Sequence, residues 1–318
     1  MSEYFLGIDG GQSSTTALIG DGSGQVIGYG RGGPCNHVGA SEGRAKFTSA
    51  VQTCVSAACE RASLDESSVR FRSACFGLSG GPADKEAILR EMLRCDQMVV
   101  THDGVIALSG ATGGAPGVIV IGGTGSISFG RNRDGKSARA GGWGYIFGDE
   151  GGGFDIVRQA LRAALRAEEG WGPPTVLRDV LLENVPAQNA NEILHRFYTV
   201  EFPRSRVATL ANVVDETANR GDRIAAQILD KAAQELAMLA AAVRRQIFTP
   251  GEPALVAFIG GVFRSKRLLE RFRTLVELEP GNRLVAPLYG PGAGALIEAY
   301  RTAGLNVTIS KVPEVEKQ

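Results

Sequence analysis

Gly117-Val118-Ile119-Val120-Ile121-Gly122-Gly123-Thr124-Gly125-Ser126 is the stretch that decides the fold. Its β-branched run has the composition of a fully buried strand, and the run ends in a glycine-rich turn that carries two hydroxyls. Such a turn leaves backbone N–H groups open to an anion such as a phosphate. Glycine-rich turns after strands also serve only to reverse the chain, and this alternative stays open for the stretch alone.

A second turn of the same kind lies near the N-terminus. The apolar strand Phe5–Asp9 ends in an aspartate, Gly10 and Gly11 follow, and hydroxyl residues lead into a returning strand over Thr16–Ile19. Two strand–turn–strand hairpins in separate parts of one chain predict two phosphate-binding loops that face one nucleotide.

Length and composition restrict the class of protein. The 318 residues suggest about two domains, and 34 basic against 34 acidic residues leave no net charge to attract nucleic acid or an anionic membrane. The five cysteines form no CxxC pair, which favours reduced thiols over disulfides or a zinc site. The N-terminus resembles no signal peptide, and no apolar run reaches membrane-spanning length. We therefore expect a cytoplasmic protein without nucleic-acid or membrane partners.

Strands and helices alternate along the chain. The order βββαβαβα, with the first three strands antiparallel, is that of a ribonuclease-H-like domain, and the second part of the chain starts in the same way. A domain boundary is expected near 110–116, and the segment from Ser310 onward is expected to be disordered. The predicted strands are 4–9, 16–20, 25–30, 71–77, 98–102, 117–121, 126–130, 255–259 and 283–286; the predicted helices are 42–62, 83–94, 151–168, 205–219, 222–247, 265–275 and 291–303.

Duplicated domains with two phosphate loops and a later Gly260-Gly261 turn resemble the sugar kinase, heat-shock-70 and actin superfamily. Within it, the chain is similar to N-acetylglucosamine kinases of the BadF/BadG/BcrA/BcrD-type ATPase group. The motifs that carry this similarity are Cys35-Asn36-His37, Thr101-His102-Asp103-Gly104 and Gly141-Gly142-Trp143-Gly144-Tyr145-Ile146-Phe147-Gly148-Asp149-Glu150-Gly151.

The resemblance implies an α/β fold of two ribonuclease-H-like domains, the actin-like ATPase fold, with an interdomain cleft for nucleotide and sugar. The expected domains are 1–112, completed by a C-terminal helix at 291–318, and 113–290 with a helical insertion. The resemblance also implies a homodimer, ATP and Mg²⁺ as cofactors, and a small-molecule sugar substrate phosphorylated at the 6-hydroxyl.

Two aspartates have implied roles in phosphoryl transfer. Asp103 would accept the proton of the sugar hydroxyl, and Asp9 would orient Mg²⁺ through water. The alternatives are a helix N-cap at Asp103 and a turn cap at Asp9. The implied nucleotide-binding residues are Gly10, Gly11, Gln12, Ser13, Thr15, Gly123, Thr124, Gly260 and Gly261.

The implied sugar-binding residues are Asn36, Asp103, Gly125, Ser126, Trp143 and Asp149. Asn36 could instead be an ordinary turn residue, Asp149 a charge at a helix N-terminus, and Trp143 a filler of the domain interface. Ile127 stands where vertebrate relatives carry a polar residue, and Ser14 where many relatives carry lysine. Glucosamine, N-acetylmuramic acid and glucose therefore stay alternatives to N-acetylglucosamine.

Two other classes of function are open. The first is an ATPase subunit that drives electrons into an iron–sulfur partner, as an activator of a dehydratase or reductase system does. All five cysteines precede residue 100, and none begins a glycine-rich helix in the second part of the chain, which disfavours this class. The second is a sugar or nucleotide sensor without turnover, which the presence of Asp9, Asp103 and both loops disfavours.

Overall fold

The computed structural model describes residues 3–11, 14–35, 41–78 and 85–317. Predictions that involve Gln12, Ser13 and Asn36 lie outside the described residues. The chain divides into two compact units, Met1–Pro116 with Ala286–Gln318, and Gly117–Val285. We call them unit 1 and unit 2 and describe each by itself.

Unit 1 is built on a five-stranded sheet with the order β3-β2-β1-β4-β5. The first three strands are antiparallel, whereas β4 and β5 run parallel to β1, so the carboxyl ends of β1, β4 and β5 share one edge. The elements are β1 (Tyr4–Gly10), β2 (Thr15–Asp21), β3 (Val26–Gly32), α1 (Ser41–Arg61), β4 (Phe71–Leu78), α2 (Glu86–Met92), β5 (Cys95–His102) and α3 (Asp103–Thr112).

Unit 2 repeats this arrangement with the sheet order β10-β9-β6-β7-β8. Strands β6, β7 and β8 are antiparallel, and β9 and β10 run parallel to β6. The elements are β6 (Gly117–Gly122), β7 (Ser126–Arg131), β8 (Ser137–Gly141), α4 (Gly153–Glu168), α5 (Leu177–Asn184), α6 (Ala190–Phe197), α7 (Arg204–Thr209), α8 (Ala211–Asn219), α9 (Arg223–Ile247), β9 (Ala254–Ile259), α10 (Lys266–Glu277) and β10 (Asn282–Val285).

The chain returns to unit 1 through α11 (Pro291–Thr302), which packs closely against α3. A Cβ on Gly294 would lie 2.5 Å from the backbone nitrogen of Gly110 on the facing helix. Only glycine permits this approach, since a methyl group there would overlap backbone atoms of α3. Buried side chains such as Phe5 and Tyr300 fill the space between α11 and the sheet.

The structure contradicts the expectation that the chain is disordered from Ser310 onward. The Ser310 carbonyl accepts the N–H of Val26 at 2.9 Å, and its own N–H donates to Gly24 at 3.0 Å. Ile309, Val312 and Glu316 are buried. The polar composition suggested a free tail, but backbone pairing with unit 1 holds the segment in place.

The helical insertion of unit 2 also differs from the prediction. Helices α5 and α6 occupy a stretch for which no helix is predicted, and the expected single helix over 205–219 is divided at Leu210 into α7 and α8. A signal for α6 is present, because Asn189 accepts the Glu192 N–H at 3.0 Å and the Glu192 carboxylate accepts the Gln188 N–H at 2.9 Å. This reciprocal pattern is close to a capping box, a recognised sign of a helix start.

Among the residues that the structure describes, no helix has both the length and the apolar character that crossing a membrane requires.

Candidate active site

Asp103, the predicted base, and Asp9, the predicted Mg²⁺ residue, lie at the same edge of the unit 1 sheet. Asp9, near the carboxyl end of β1, is level with Gly77 of β4, which is level with Thr101 of β5. Asp103 follows the last residue of β5 directly. The parallel order of these strands brings both carboxylates to the edge where ligands bind in open α/β sheets.

The Asp9 carboxyl occupies an unusual electrostatic environment. Burial, followed by the negative charges of Glu316 and Asp103, raises its pKa to about 7. A carboxyl in such surroundings gains from a cation that neutralises it. Oxygen donors near a concentration of negative charge are what Mg²⁺ prefers, and Mg²⁺ commonly keeps much of its water. The residues present therefore fit a hydrated magnesium ion beside Asp9.

Glu316 contributes to this environment from the C-terminal segment. Its carboxylate is buried and accepts the Ala293 N–H at 2.9 Å in the first turn of α11, while the Gly290 N–H donates to its carbonyl at 2.7 Å. Burial raises the pKa of Glu316, although the N–H groups of Ala293 and Gly292 act to lower it. Sequence reasoning missed this residue because its segment was expected to be disordered.

Asp103 is the first residue of α3 and is exposed. The N-cap position belongs to His102, whose backbone is extended with φ −83° and ψ 152°. The Asp103 Oδ1 accepts the N–H of the next residue, Gly104, at 2.9 Å. The alternative interpretation made Asp103 the N-cap of α3. In the structure Asp103 is instead the residue after the N-cap, and its carboxylate lies at the helix N-terminus.

The first glycine turn joins β1 to β2. Gly11 donates its N–H to the Ser14 carbonyl at 3.0 Å, which closes the described part of the turn. Thr15, a predicted nucleotide contact, is buried and donates its hydroxyl to the Gly33 carbonyl at 2.7 Å. This bond ties the turn to the end of β3.

The second glycine turn and Gly260 come together in unit 2 because β6 and β9 are parallel neighbours. Gly260 has a φ of +115°, and a Cβ on it would lie 2.5 Å from the Gly122 carbonyl carbon. Apart from the adjacent residues in the chain, no heavy atom of the described residues lies within 4 Å of a Cβ built on Gly123 or Gly261. The backbone at both positions is therefore open to close approach by a ligand, as phosphate-binding turns require.

Asp149 is held directly against this second turn. Its φ of +64° lies in the left-handed region, which aspartate tolerates better than most residues but which carries strain. A Cβ on Gly125 would lie 2.5 Å from the Asp149 Oδ1, and the same oxygen is 3.4 Å from the Ser126 nitrogen. The carboxylate therefore covers Gly125 and Ser126, two other predicted sugar contacts.

Backbone hydrogen bonds fix this arrangement. Gly153 and Phe154 donate their N–H groups to the Gly123 and Thr124 carbonyls at 2.8 and 3.0 Å, and the Ser126 hydroxyl donates to the Glu150 carbonyl at 2.6 Å. The segment that follows β8 and the glycine turn are thus hydrogen-bonded to each other, although they are separate in the sequence.

The alternative role of Asp149, a charge at the start of α4, belongs to another residue. Asp155, in the first turn of α4, is buried and accepts the Gly151 N–H at 3.1 Å and an Arg158 N–H at 2.7 Å. Sequence reasoning missed Asp155. Its position two residues into an amphipathic helix is a signal that could have found it.

Trp143 is exposed on unit 2, and the Arg139 guanidinium lies 4.9 Å from its ring centroid. Tyr145 and Phe147 of the same motif are exposed as well. Arg204 is a third residue that sequence reasoning missed: its Nη1 lies 3.8 Å from the Asp149 Oδ2. Only tertiary structure brings Arg204 to this motif, so no local pattern could reveal it.

Comparison with known proteins identifies the family of the chain. The model of the BadF/BadG/BcrA/BcrD ATPase family matches residues 6–299. The chain belongs to this family. The resemblance stated from the sequence motifs is therefore confirmed.

Two curated proteins are similar over almost the full chain. The N-acetylmuramic acid/N-acetylglucosamine kinase of Clostridium acetobutylicum is 31% identical, and the match covers 93% of this chain and 98% of the relative. The N-acetyl-D-glucosamine kinase of Dictyostelium discoideum is 30% identical, with coverage of 94% and 98%.

Solved structures of this family share the fold. A provisionally assigned N-acetylglucosamine kinase from Chromobacterium violaceum aligns with a TM-score of 0.72 and 28% identity, covering 93% of this chain and 98% of that chain. The predicted α/β fold of actin-like ATPase type is confirmed by this likeness and by the repeated sheet order in the two units.

Proposed function

We propose that this protein transfers the γ-phosphoryl group of ATP to the 6-hydroxyl of N-acetylglucosamine or a closely related amino sugar. The family membership and the curated relatives support an ATP-dependent sugar kinase as the class of enzyme. The curated relatives support the choice of an amino sugar, and the observation in this chain that carries a sugar site is the strained Asp149, whose carboxylate is held over Gly125 and Ser126. A hydrogen-bond acceptor fixed in this way suits the hydroxyl groups of a sugar ring.

In the proposed reaction, Asp103 is the general base. The sugar 6-hydroxyl gives its proton to the Asp103 carboxylate while its oxygen attacks the γ-phosphorus, and ADP leaves. Phosphoryl transfer needs positioning and charge stabilisation more than covalent help from the protein. An exposed carboxylate at the start of α3 can meet a substrate hydroxyl, and the bond from Gly104 holds one of its oxygens.

Asp9 would hold Mg²⁺ through its hydration shell, as its buried, acid-rich surroundings suggest. When bound, the ion neutralises charge on the phosphates of ATP. The glycine turns would bind those phosphates through backbone N–H groups, and Gly260 and Gly261 would accommodate the adenosine. A homodimer and a cytoplasmic location remain predictions.

The thiols do not favour the alternative of an activator with an iron–sulfur cluster. Cys35, Cys54, Cys59 and Cys75 are buried. Burial raises the pKa of Cys54 to about 12 and that of Cys59 to about 11, whereas cluster ligation needs thiolates.

The test is ADP formation by purified protein with a panel of sugars, followed by identification of the phosphorylated carbon. We expect N-acetylglucosamine or glucosamine to have a kcat/KM at least tenfold above that of glucose, which corresponds to about 1.4 kcal/mol of transition-state binding. ADP formation should need both sugar and Mg²⁺ and no reductant. Equal or better use of glucose would refute the amino-sugar assignment, and sugar binding without ADP formation would favour the sensor.

A further inference from the structure

Arg204 occupies a position in unit 2 that neutralisation of Asp149 alone does not explain. Its Nη1 lies 3.8 Å from the Asp149 Oδ2, which is too long for a hydrogen bond. By contrast, Arg158 of the same unit forms a hydrogen-bonded ion pair, because its Nη2 donates to the Asp155 Oδ1 at 2.7 Å. Arg204 thus attracts the Asp149 carboxylate but does not donate a hydrogen bond to it.

The guanidinium of Arg204 is held by an aromatic platform. Its central carbon lies 4.6 Å from the centroid of the Tyr145 ring, a cation–π distance. Tyr145 packs edge-on against Phe154 with centroids 5.6 Å apart, and its carbonyl accepts an N–H of Arg158 at 3.3 Å. The platform belongs to the same motif as Asp149, so it fixes the guanidinium next to that carboxylate.

The donors of Arg204 remain available to a ligand. Its side chain is 48% exposed, and within the described part of the chain its guanidinium makes the ion pair and the ring contact but no hydrogen bond. A planar guanidinium that is stacked and has free N–H groups binds a carboxylate with two parallel hydrogen bonds. It would also offset the repulsion between Asp149 and an incoming anion.

We propose that Arg204 binds a carboxylate on the substrate, so that the enzyme accepts amino sugars that carry an acidic ring substituent as well as neutral ones. This inference rests on the proposed function, because it requires the sugar to lie beside Asp149. A neutral sugar needs only hydrogen-bond partners, whereas an exposed cation on a rigid platform gives its largest gain with an anionic group.

The experiment compares kcat/KM for N-acetylmuramic acid, which carries a lactyl carboxylate, with kcat/KM for N-acetylglucosamine. The proteins are the wild type, Arg204→Gln, Arg204→Lys and the control Arg206→Gln. Arg206 lies on the same helix, stacks over Phe202 at 4.1 Å and donates to the Glu201 carbonyl, so it matches Arg204 in type and setting. The readout is the ratio of the two kcat/KM values, which cancels any loss common to both sugars.

We expect Arg204→Gln to lower the ratio of acidic to neutral sugar by about 10- to 100-fold, the range for loss of a charge-assisted hydrogen-bonded pair. Arg204→Lys should give an intermediate ratio, because lysine keeps the positive charge but lacks the pair of parallel N–H donors of the guanidinium. Arg206→Gln should keep the ratio within about twofold, since its helix position is away from Asp149.

Three results would overturn the inference. A wild type that phosphorylates N-acetylglucosamine but not N-acetylmuramic acid would refute the role of Arg204 and leave the proposed function standing. An unchanged ratio in Arg204→Gln would mean that Arg204 only supports Asp149. Absence of turnover with every sugar would refute the proposed function itself. The melting temperatures of all four proteins show whether any variant is poorly folded. If Arg204→Gln is, the ratio for Arg204→Lys is compared with that of the wild type instead.

Discussion

Substitution of Asp103 by asparagine separates the catalytic role from a structural role more cleanly than any other change in this chain. The amide has nearly the shape of the carboxylate, and its oxygen can still accept the N–H of Gly104 at the observed 2.9 Å. What the change removes is the ability to take a proton and the negative charge at the N-terminus of α3.

The two effects differ in size. Loss of a positioned general base should lower kcat by roughly 10²–10⁴-fold, equivalent to about 3–5 kcal/mol in the barrier. Loss of the charge at the N-terminus of α3 should cost about 0.3–1 kcal/mol of folding free energy, because Asp103 is exposed and water screens its interaction with the helix. The rate should therefore change far more than the stability.

The assay measures kcat and KM for the sugar by ADP formation, the dissociation constant for ATP, and the melting temperature of the same preparation. We expect a large fall in kcat with little change in sugar or ATP affinity, and a melting temperature within a few degrees of the wild type. Turnover close to that of the wild type would exclude Asp103 as the base.

Three further substitutions test the geometry of the fold and the site. Gly125→Ala would place a methyl group 2.5 Å from the Asp149 Oδ1, so the Asp149 carboxylate must move; the sugar KM should rise at least about tenfold and the protein should lose about 1–3 kcal/mol of stability, and an unchanged KM would contradict the sugar contact. Gly294→Ala would press a methyl group against the backbone of Gly110 and should destabilise the protein by roughly 1–3 kcal/mol in urea unfolding, whereas unaltered stability would show that α3 and α11 are less closely packed. Asp222→Ala removes the N-cap of α9 and should cost about 1–2 kcal/mol at pH 7. Burial acts to raise the pKa of Asp222, but four hydrogen bonds to its carboxylate outweigh burial and lower it, so the difference from wild type should shrink as the pH falls from 6 to 3; a constant difference would contradict this linkage.

The parts of the site that the sequence predicted are those encoded by short stretches. A β-branched run followed by glycines predicts both a buried strand and its turn, and the structure has β6 ending at Gly122 with the turn after it. The parallel pairing of β6 with β9 then explains why Gly260 adjoins that turn. In unit 1, Asp9 near the end of β1 and Asp103 directly after β5 are likewise at the ends of predicted strands.

The parts that sequence reasoning missed depend on contacts between distant segments. Arg204 reaches Asp149 only because the helical insertion folds back onto the motif at 141–151. The segment after Ser310 has the composition of a free tail, and only pairing of its backbone with Gly24 and Val26 reveals that it is ordered. The composition of a segment indicates how unfavourable its burial is. It does not show which backbone groups elsewhere in the chain will form hydrogen bonds with the segment and make its burial favourable.

This division between local and distant contacts has a consequence for how such an enzyme can change its substrate. The groups proposed for phosphoryl transfer lie at strand ends and glycine turns, and at one of these, Gly260, a Cβ would meet the carbonyl carbon of Gly122. Arg204, proposed to bind a carboxylate on the substrate, and the exposed Trp143, an expected sugar contact, are side chains on a helix and a loop of unit 2. Surface side chains of this kind can be replaced at a cost of about 0.5 kcal/mol or less, whereas overpacking a backbone contact costs about 1–3 kcal/mol. Selection for a different sugar can therefore act on the insertion and the motif at 141–151 while the phosphate-binding turns stay as they are.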